Sequence, residues 1–112
     1  RLSVQGRASG RWRTVSVAVL EHDGERYLLA PAGDTDWSLN LRAAGHGRLE
    51  RKGDVEDFTA VEVSIAQRPP LIKAYLQRFG KMPTVARTFG ALPDPADHPT
   101  FRITSPAPKA NR

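Results

Sequence analysis

The sequence predicts a mainly β, α+β fold: an antiparallel barrel or sandwich with two or three short peripheral helices. Three observations point there. Strand-like runs follow one another directly and are joined by glycine-bearing turns, the order of hairpins and not of alternating β–α units. Nine glycines and nine prolines punctuate 112 residues, so the elements between them are short. Apolar residues at helical spacing are confined to brief stretches with a cap or a proline at one end.

The elements follow in order. Leu2-Ser3-Val4-Gln5 reads as a strand. A turn follows, Gly6-Arg7-Ala8-Ser9-Gly10-Arg11-Trp12-Arg13-Thr14, in which both glycines can take φ > 0. Residues 15–20 are rich in β-branched side chains and read as one continuous buried strand. Asp23-Gly24 is a hairpin signal, and residues 26–30 read as the return strand. Residues 31–35 form a breaker loop. Thr35 or Asp36 can cap a helix over 37–44, with Trp37 and Leu41 on one face and Gly45 closing it. Residues 47–51 read as a strand and Lys52-Gly53-Asp54 as a turn. Residues 59–65 alternate, which predicts Val61, Val63 and Ile65 inward and a β-bulge near Thr59 where the parity shifts. Proline at 69 and 70 suits a first helical turn. Leu71, Ile72, Tyr75, Leu76 and Phe79 then form an apolar stripe that ends at Gly80. Residues 83–89 predict a second short helix, with Gly90 after it. Residues 91–99 read as a loop and 100–104 as a last strand. The domain is expected to span 1–104, with 105–112 a flexible polar tail. The tally is about six strands.

Composition limits the function. Hydrophobic and charged fractions of 39% and 26% are those of a globular domain, with no apolar run of membrane-spanning length. There is no cysteine, so neither disulfides nor thiolate metal sites are available. His22, His46 and His98 share no metal-ligand spacing, and no P-loop, dinucleotide fingerprint or nucleophile elbow occurs. An enzyme built on this chain therefore needs a cofactor for its chemistry. A net charge of +5 favours an anionic partner. The location expected is cytoplasmic or peripheral to a membrane. The chain begins almost directly in a strand, so an upstream segment is expected.

The charge concentrates at the turn. Arg7, Arg11 and Arg13 fall within seven positions, beside glycine-permitted backbone whose N–H groups can face an anion. A solvated loop is the plain alternative.

Two stretches in order carry a resemblance. One is Gly6-Arg7-Ala8-Ser9-Gly10 with Arg13-Thr14. The other runs from Pro31-Ala32-Gly33-Asp34-Thr35 through Asp36-Trp37-Ser38-Leu39-Asn40-Leu41-Arg42 to Gly45. With Ala74-Tyr75-Leu76-Gln77-Arg78-Phe79-Gly80 and His98-Pro99-Thr100-Phe101-Arg102, this ordered set resembles the deazaflavin-dependent nitroreductase family over most of the chain. The resemblance implies an FMN-binding-like split β-barrel, the deazaflavin coenzyme F-420, and hydride transfer to a small organic acceptor. It implies that Arg7, Ser9, Gly10 and Arg13 hold the phosphate and tail, with Arg11 beside them as a further cofactor-binding candidate. Gly33 would lie where a loop passes close to the coenzyme. Trp37, Asn40 and Leu41 would stand beside the ring, Asn40 also fixing the 31–35 loop, and Ser38 would face the substrate. Tyr75 reads as a core residue of its helix stripe, with a hydroxyl turned into the substrate pocket as the alternative. No residue of the chain is expected to act as an essential catalytic group, and no metal is implied. Ala8 and Ala32 stand where the family commonly carries basic residues, and Arg11 or Arg42 is a candidate to compensate. Alternatives are a non-catalytic deazaflavin carrier, an FMN-binding split barrel, and a basic nucleic-acid-binding barrel. The last is disfavoured because only Trp12 is an aromatic set among basic neighbours. A monomer or homodimer is expected.

Overall fold

The computed structural model describes residues 1–105. Seven strands form one antiparallel sheet: β1 (Leu2–Gln5), β2 (Trp12–Val15), β3 (Val19–His22), β4 (Glu25–Leu29), β5 (His46–Arg51), β6 (Asp54–Glu62) and β7 (Thr100–Thr104). Three helices accompany them: α1 (Asp36–Ala44), α2 (Arg68–Phe79) and α3 (Pro83–Ala91). The strand order is β2-β1-β5-β6-β7-β4-β3.

That order dictates the shape. β2 and β3 are consecutive in the chain yet occupy opposite edges of the sheet. Seven flat strands would hold those edges roughly 29 Å apart at ~4.8 Å per strand. The link from Val15 to Val19 can span at most about 14 Å. The sheet must therefore curl until its edges approach, which makes a split β-barrel. The expected continuous strand over 15–20 is accordingly broken: residues 16–18 are the crossover between the two edges.

Two cores result. Leu2, Val4, Leu28, Leu41, Phe58, Phe101 and Ile103 fill the concave side, with Trp37 packed against them, so α1 plugs the half-barrel. Leu20, Leu29, Tyr75, Val85 and Phe89 form the second core, where α2 and α3 cover the convex side of β3 and β4. β4 serves both through its alternation, with Leu28 in one and Leu29 in the other.

Turn chemistry follows the sequence at three places. Asp23 and Gly24, and Lys52 and Gly53, all have positive φ, as two-residue hairpin turns require. Gly45 closes α1 at φ 75°. Other expectations change. β6 presents Phe58 and Ala60 to the core, whereas Val61 is 58% exposed and Ile65 52%. Phe58 sets this parity through its bulk: it lies opposite Gly47, where a Cβ would come within 2.9 Å of its ring. No bulge occurs, since the β5–β6 register runs unbroken from His46↔Thr59 to Arg51↔Asp54. β6 ends at Glu62, and residues 65–67 make a 3₁₀ turn leading into α2. α3 continues through Gly90 to Ala91. Of the expected tail, residues 106–112 lie outside the described residues.

Candidate anion-binding site

The turn from β1 to β2 is built by its own backbone. The Gly6 N–H donates to Arg11 O and the Gly10 N–H donates to Gly6 O, both at 2.8 Å. Gly10 takes φ 72° and Gly6 does not need positive φ. A Cβ at Gly6 would come within 2.9 Å of Ser9 Oγ, so a larger residue there would displace that hydroxyl. Ser9 Oγ accepts the Arg11 N–H at 3.2 Å. The N–H groups of Ala8 and Ser9 make no hydrogen bond among the described residues.

Asn40 locks this turn onto α1. Its Oδ1 accepts the Arg7 backbone N–H at 3.0 Å and Arg7 Nη1 at 2.7 Å. Arg7 Nη2 lies 3.7 Å from Asp36 Oδ1 in the first turn of the helix. Asn40 is buried, so one neutral acceptor deep in the structure positions both a backbone amide and a guanidinium. It was expected to fix the 31–35 loop; it fixes the basic turn instead. Arg11 and Arg13 stay exposed and form no ion pair among the described residues. The rim thus presents two free guanidinium groups and two free amides beside a helix N-terminus, which is the equipment for a multiply charged anion.

The other expected residues are placed as follows. Trp37 is half-buried, its ring centroid 6.4 Å from that of Phe101. Leu41 is wholly in the core. Ser38 is 0% exposed, and its hydroxyl both accepts the Thr35 N–H at 3.1 Å and donates to Thr35 O at 3.0 Å. Ser38 is therefore a helix-cap residue and offers no open group to a substrate. Thr35 Oγ1, expected to cap, makes no bond among the described residues. Tyr75 is 3% exposed, packed at tilted ring angles between Phe79 and Phe89 in the second core, and burial raises its pKa. It too is removed from the rim. Gly33 is buried at φ 83°, packed 3.2 Å (from an ideal Cβ) against Asp97 O and close to Leu92, so its tight approach is to the 92–97 segment.

Arg42 is committed elsewhere. It binds Glu62 through Nε at 2.7 Å and Nη2 at 2.8 Å, and it lies 3.6 Å from Asp34. It cannot compensate for Ala8 or Ala32 without breaking those bonds. Glu62 also accepts Arg68 Nη2 at 3.1 Å. Arg68 is buried and donates further to Val63 O and Pro95 O, so it stitches β6 and α2 to the 95–97 turn. The bidentate bond from Arg42, with Arg68 adding to it, holds the Glu62 carboxyl below its ordinary range. His98 is likewise structural. Its ring is buried, stacked on Phe89 with centroids 4.1 Å apart, and its nitrogens face the carbonyl oxygens of Ala30 and Leu92. Sequence reading missed both Arg68 and His98. The one available signal was their place beside prolines at the joints between elements.

A cavity of about 580 Å3 opens at the far end of the sheet, where Leu49, Arg51, Glu56 and Phe79 meet. Arg26 and Glu56 pair within it, and its charged lining is evenly divided between arginines and carboxylates, so it lacks the bias an anion needs. Among the described residues no group of three potential ligands is placed to hold a metal ion, and no helix is long and apolar enough to cross a membrane.

Fold and site together define a split β-barrel with a cationic, amide-bearing turn docked on the helix that plugs it. A family model described as F420H(2)-dependent quinone reductase matches residues 1–83, and the chain belongs to that family. This agrees with the resemblance carried by the turn and the α1 segment. No curated protein matches the sequence. Among solved structures, the heme storage protein HutZ from Vibrio cholerae superposes with a TM-score of 0.64 at 12% identity, over 96% of this chain and 80% of that one. A structure described as a domain-swapped dimer gives 0.64 at 20% identity, over 92% and 77%. These two likenesses speak to the fold alone.

Proposed function

We propose that this chain binds the deazaflavin coenzyme F-420 with its phosphate and acidic tail on the 6–13 turn, and serves hydride transfer to a small organic acceptor of the quinone class. The observation that carries the reading is the docking of Arg7 on buried Asn40, which fixes the turn on α1 while Arg11, Arg13 and two amides have no partner among the described residues. These groups suit a phosphodiester followed by carboxylates, since each guanidinium can bind either in a bidentate way. When bound, the reduced deazaflavin supplies the hydride. The chain's own part is to hold and orient: the turn takes the charged end, and Trp37 at the start of α1 offers an aromatic edge over the plugged barrel.

The test pairs binding with turnover. Coenzyme fluorescence should change on titration with protein, and reduced coenzyme should be oxidised when a quinone is added. Binding without oxidation of any quinone tried would favour a carrier. The absence of binding to either redox state would reject the proposal, and tighter binding of FMN would redirect it.

A further inference from the structure

We infer that the α2–α3 layer is a docking surface for an anionic lipid bilayer. The charge of the chain is not spread over it. Residues 63–93 contain five cations and no carboxylate, whereas the rest of the chain holds twelve of each. The whole net charge of +5 therefore resides in this one layer. Arg68 is turned inward onto Glu62 and Arg78 lines the mixed-charge cavity at the far end of the sheet, which leaves Lys73, Lys81 and Arg87 exposed on the outside. None of these three is in an ion pair among the described residues. The carboxylates that flank the segment are engaged: Glu62 by Arg42 and Arg68, and Asp94 by the Ala96 N–H.

The same layer exposes apolar groups. Met82 stands between Lys81 and Pro83 and is 46% exposed, and Ile65 projects at the start of the segment. Pro69, Ile72, Leu76, Pro93 and Pro95 line an apolar groove of about 490 Å3 with Lys73 at its rim. Cations flanking short apolar points match the polar and apolar zones of a bilayer surface. A nucleic acid fits less well, because Tyr75, Phe79 and Phe89 all pack into the second core and leave no aromatic to stack on bases. The inference rests on charge distribution and stands apart from the coenzyme reading.

Co-sedimentation with vesicles tests it. Vesicles of phosphatidylcholine and phosphatidylglycerol should bind the protein at low salt, and pure phosphatidylcholine should not. Each Lys or Arg near an anionic surface is worth roughly a fivefold gain, so Lys73→Gln, Lys81→Gln and Arg87→Gln together should weaken binding about a hundredfold. A control with the same loss of charge elsewhere, Arg48→Gln, Arg51→Gln and Lys52→Gln, should bind nearly as the parent does. Melting curves verify that both variants fold, and the coenzyme affinity of the first should be unchanged. Equal losses in the two triple variants, no preference for anionic vesicles, or displacement from vesicles by a single-stranded oligonucleotide at low concentration would each overturn the inference.

Discussion

Asn40 is the residue on which the site turns. It is buried, it accepts two hydrogen bonds, and one of them is charge-assisted. Asn40→Ala leaves the Arg7 amide and guanidinium without their acceptor, at a cost of about 2 kcal/mol in stability. It should also lower coenzyme affinity at least tenfold, since the turn loses its mooring. Asn40→Asp can accept the same bonds, so its stability should lie nearer the parent's, while its added negative charge weakens coenzyme binding. Thermal melting and fluorescence titration on both variants separate positioning from packing. Trp37 gives the complementary case. It packs against the concave core but is only half-buried, so Trp37→Ala should cost less stability than the ~3–5 kcal/mol of a fully buried aromatic. If its exposed edge meets the ring, affinity falls more than stability does, measured on one sample. The turn was legible in the sequence as glycine and arginine spacing. Its partner was only half legible: Asn40 could be flagged as a polar residue on a core-facing helix, but the residue it would bond lies 33 positions away. Ser38 shows the reverse error. Its position beside Trp37 suggested openness, whereas the helix cap absorbs it; Tyr75 lies in the core, as its place in the apolar stripe implied.

At the scale of elements, the joints are held by charge. Glu62 ties α1 to β6 and α2 through Arg42 and Arg68, and Glu56 ties β6 to β4 through Arg26. The hydrogen bond from Arg42 is the chief cause that lowers the Glu62 pKa, and that from Arg26 is the chief cause for Glu56. A carboxyl lowered in the folded state stabilises it at every pH above the unfolded value, and the contribution is lost as pH falls through the folded value. The melting temperature should therefore be level from neutrality down to about pH 4.3, then drop in acid. Glu62→Gln should flatten part of that drop and cost about 1.5–3 kcal/mol at neutral pH, because the buried guanidinium of Arg68 loses its counter-charge. Gly33→Ala should cost about 1–2 kcal/mol, from left-handed backbone and the crowded approach to Asp97 O. Helices were well legible here, since caps and prolines mark their ends. Strand parity in β6 was not: valine and isoleucine alternation pointed outward because one Phe, seated over a glycine of the neighbouring strand, decides the face.

The whole molecule distributes its duties by face. The concave core and α1 carry the basic turn at one rim of the split barrel, and α2 and α3 cover the other side of β3 and β4. Curling is forced by the short link from β2 to β3, a feature the sequence hid by writing both strands as one apolar run. The chain belongs to the F420H(2)-dependent quinone reductase family, and the rim turn is the place we propose for its anionic coenzyme. The most direct measurement is a fluorescence titration of coenzyme F-420 into the parent protein and into the variant Arg11→Gln with Arg13→Gln, each at low and high salt. Both side chains are exposed and form no ion pair among the described residues, so the variant should melt as the parent does. The parent should bind, its binding should weaken as salt rises, and the variant should bind about 10–100-fold more weakly with a shallower salt dependence. An affinity that is equal in parent and variant, or indifferent to salt, would contradict the rim turn as the coenzyme's place.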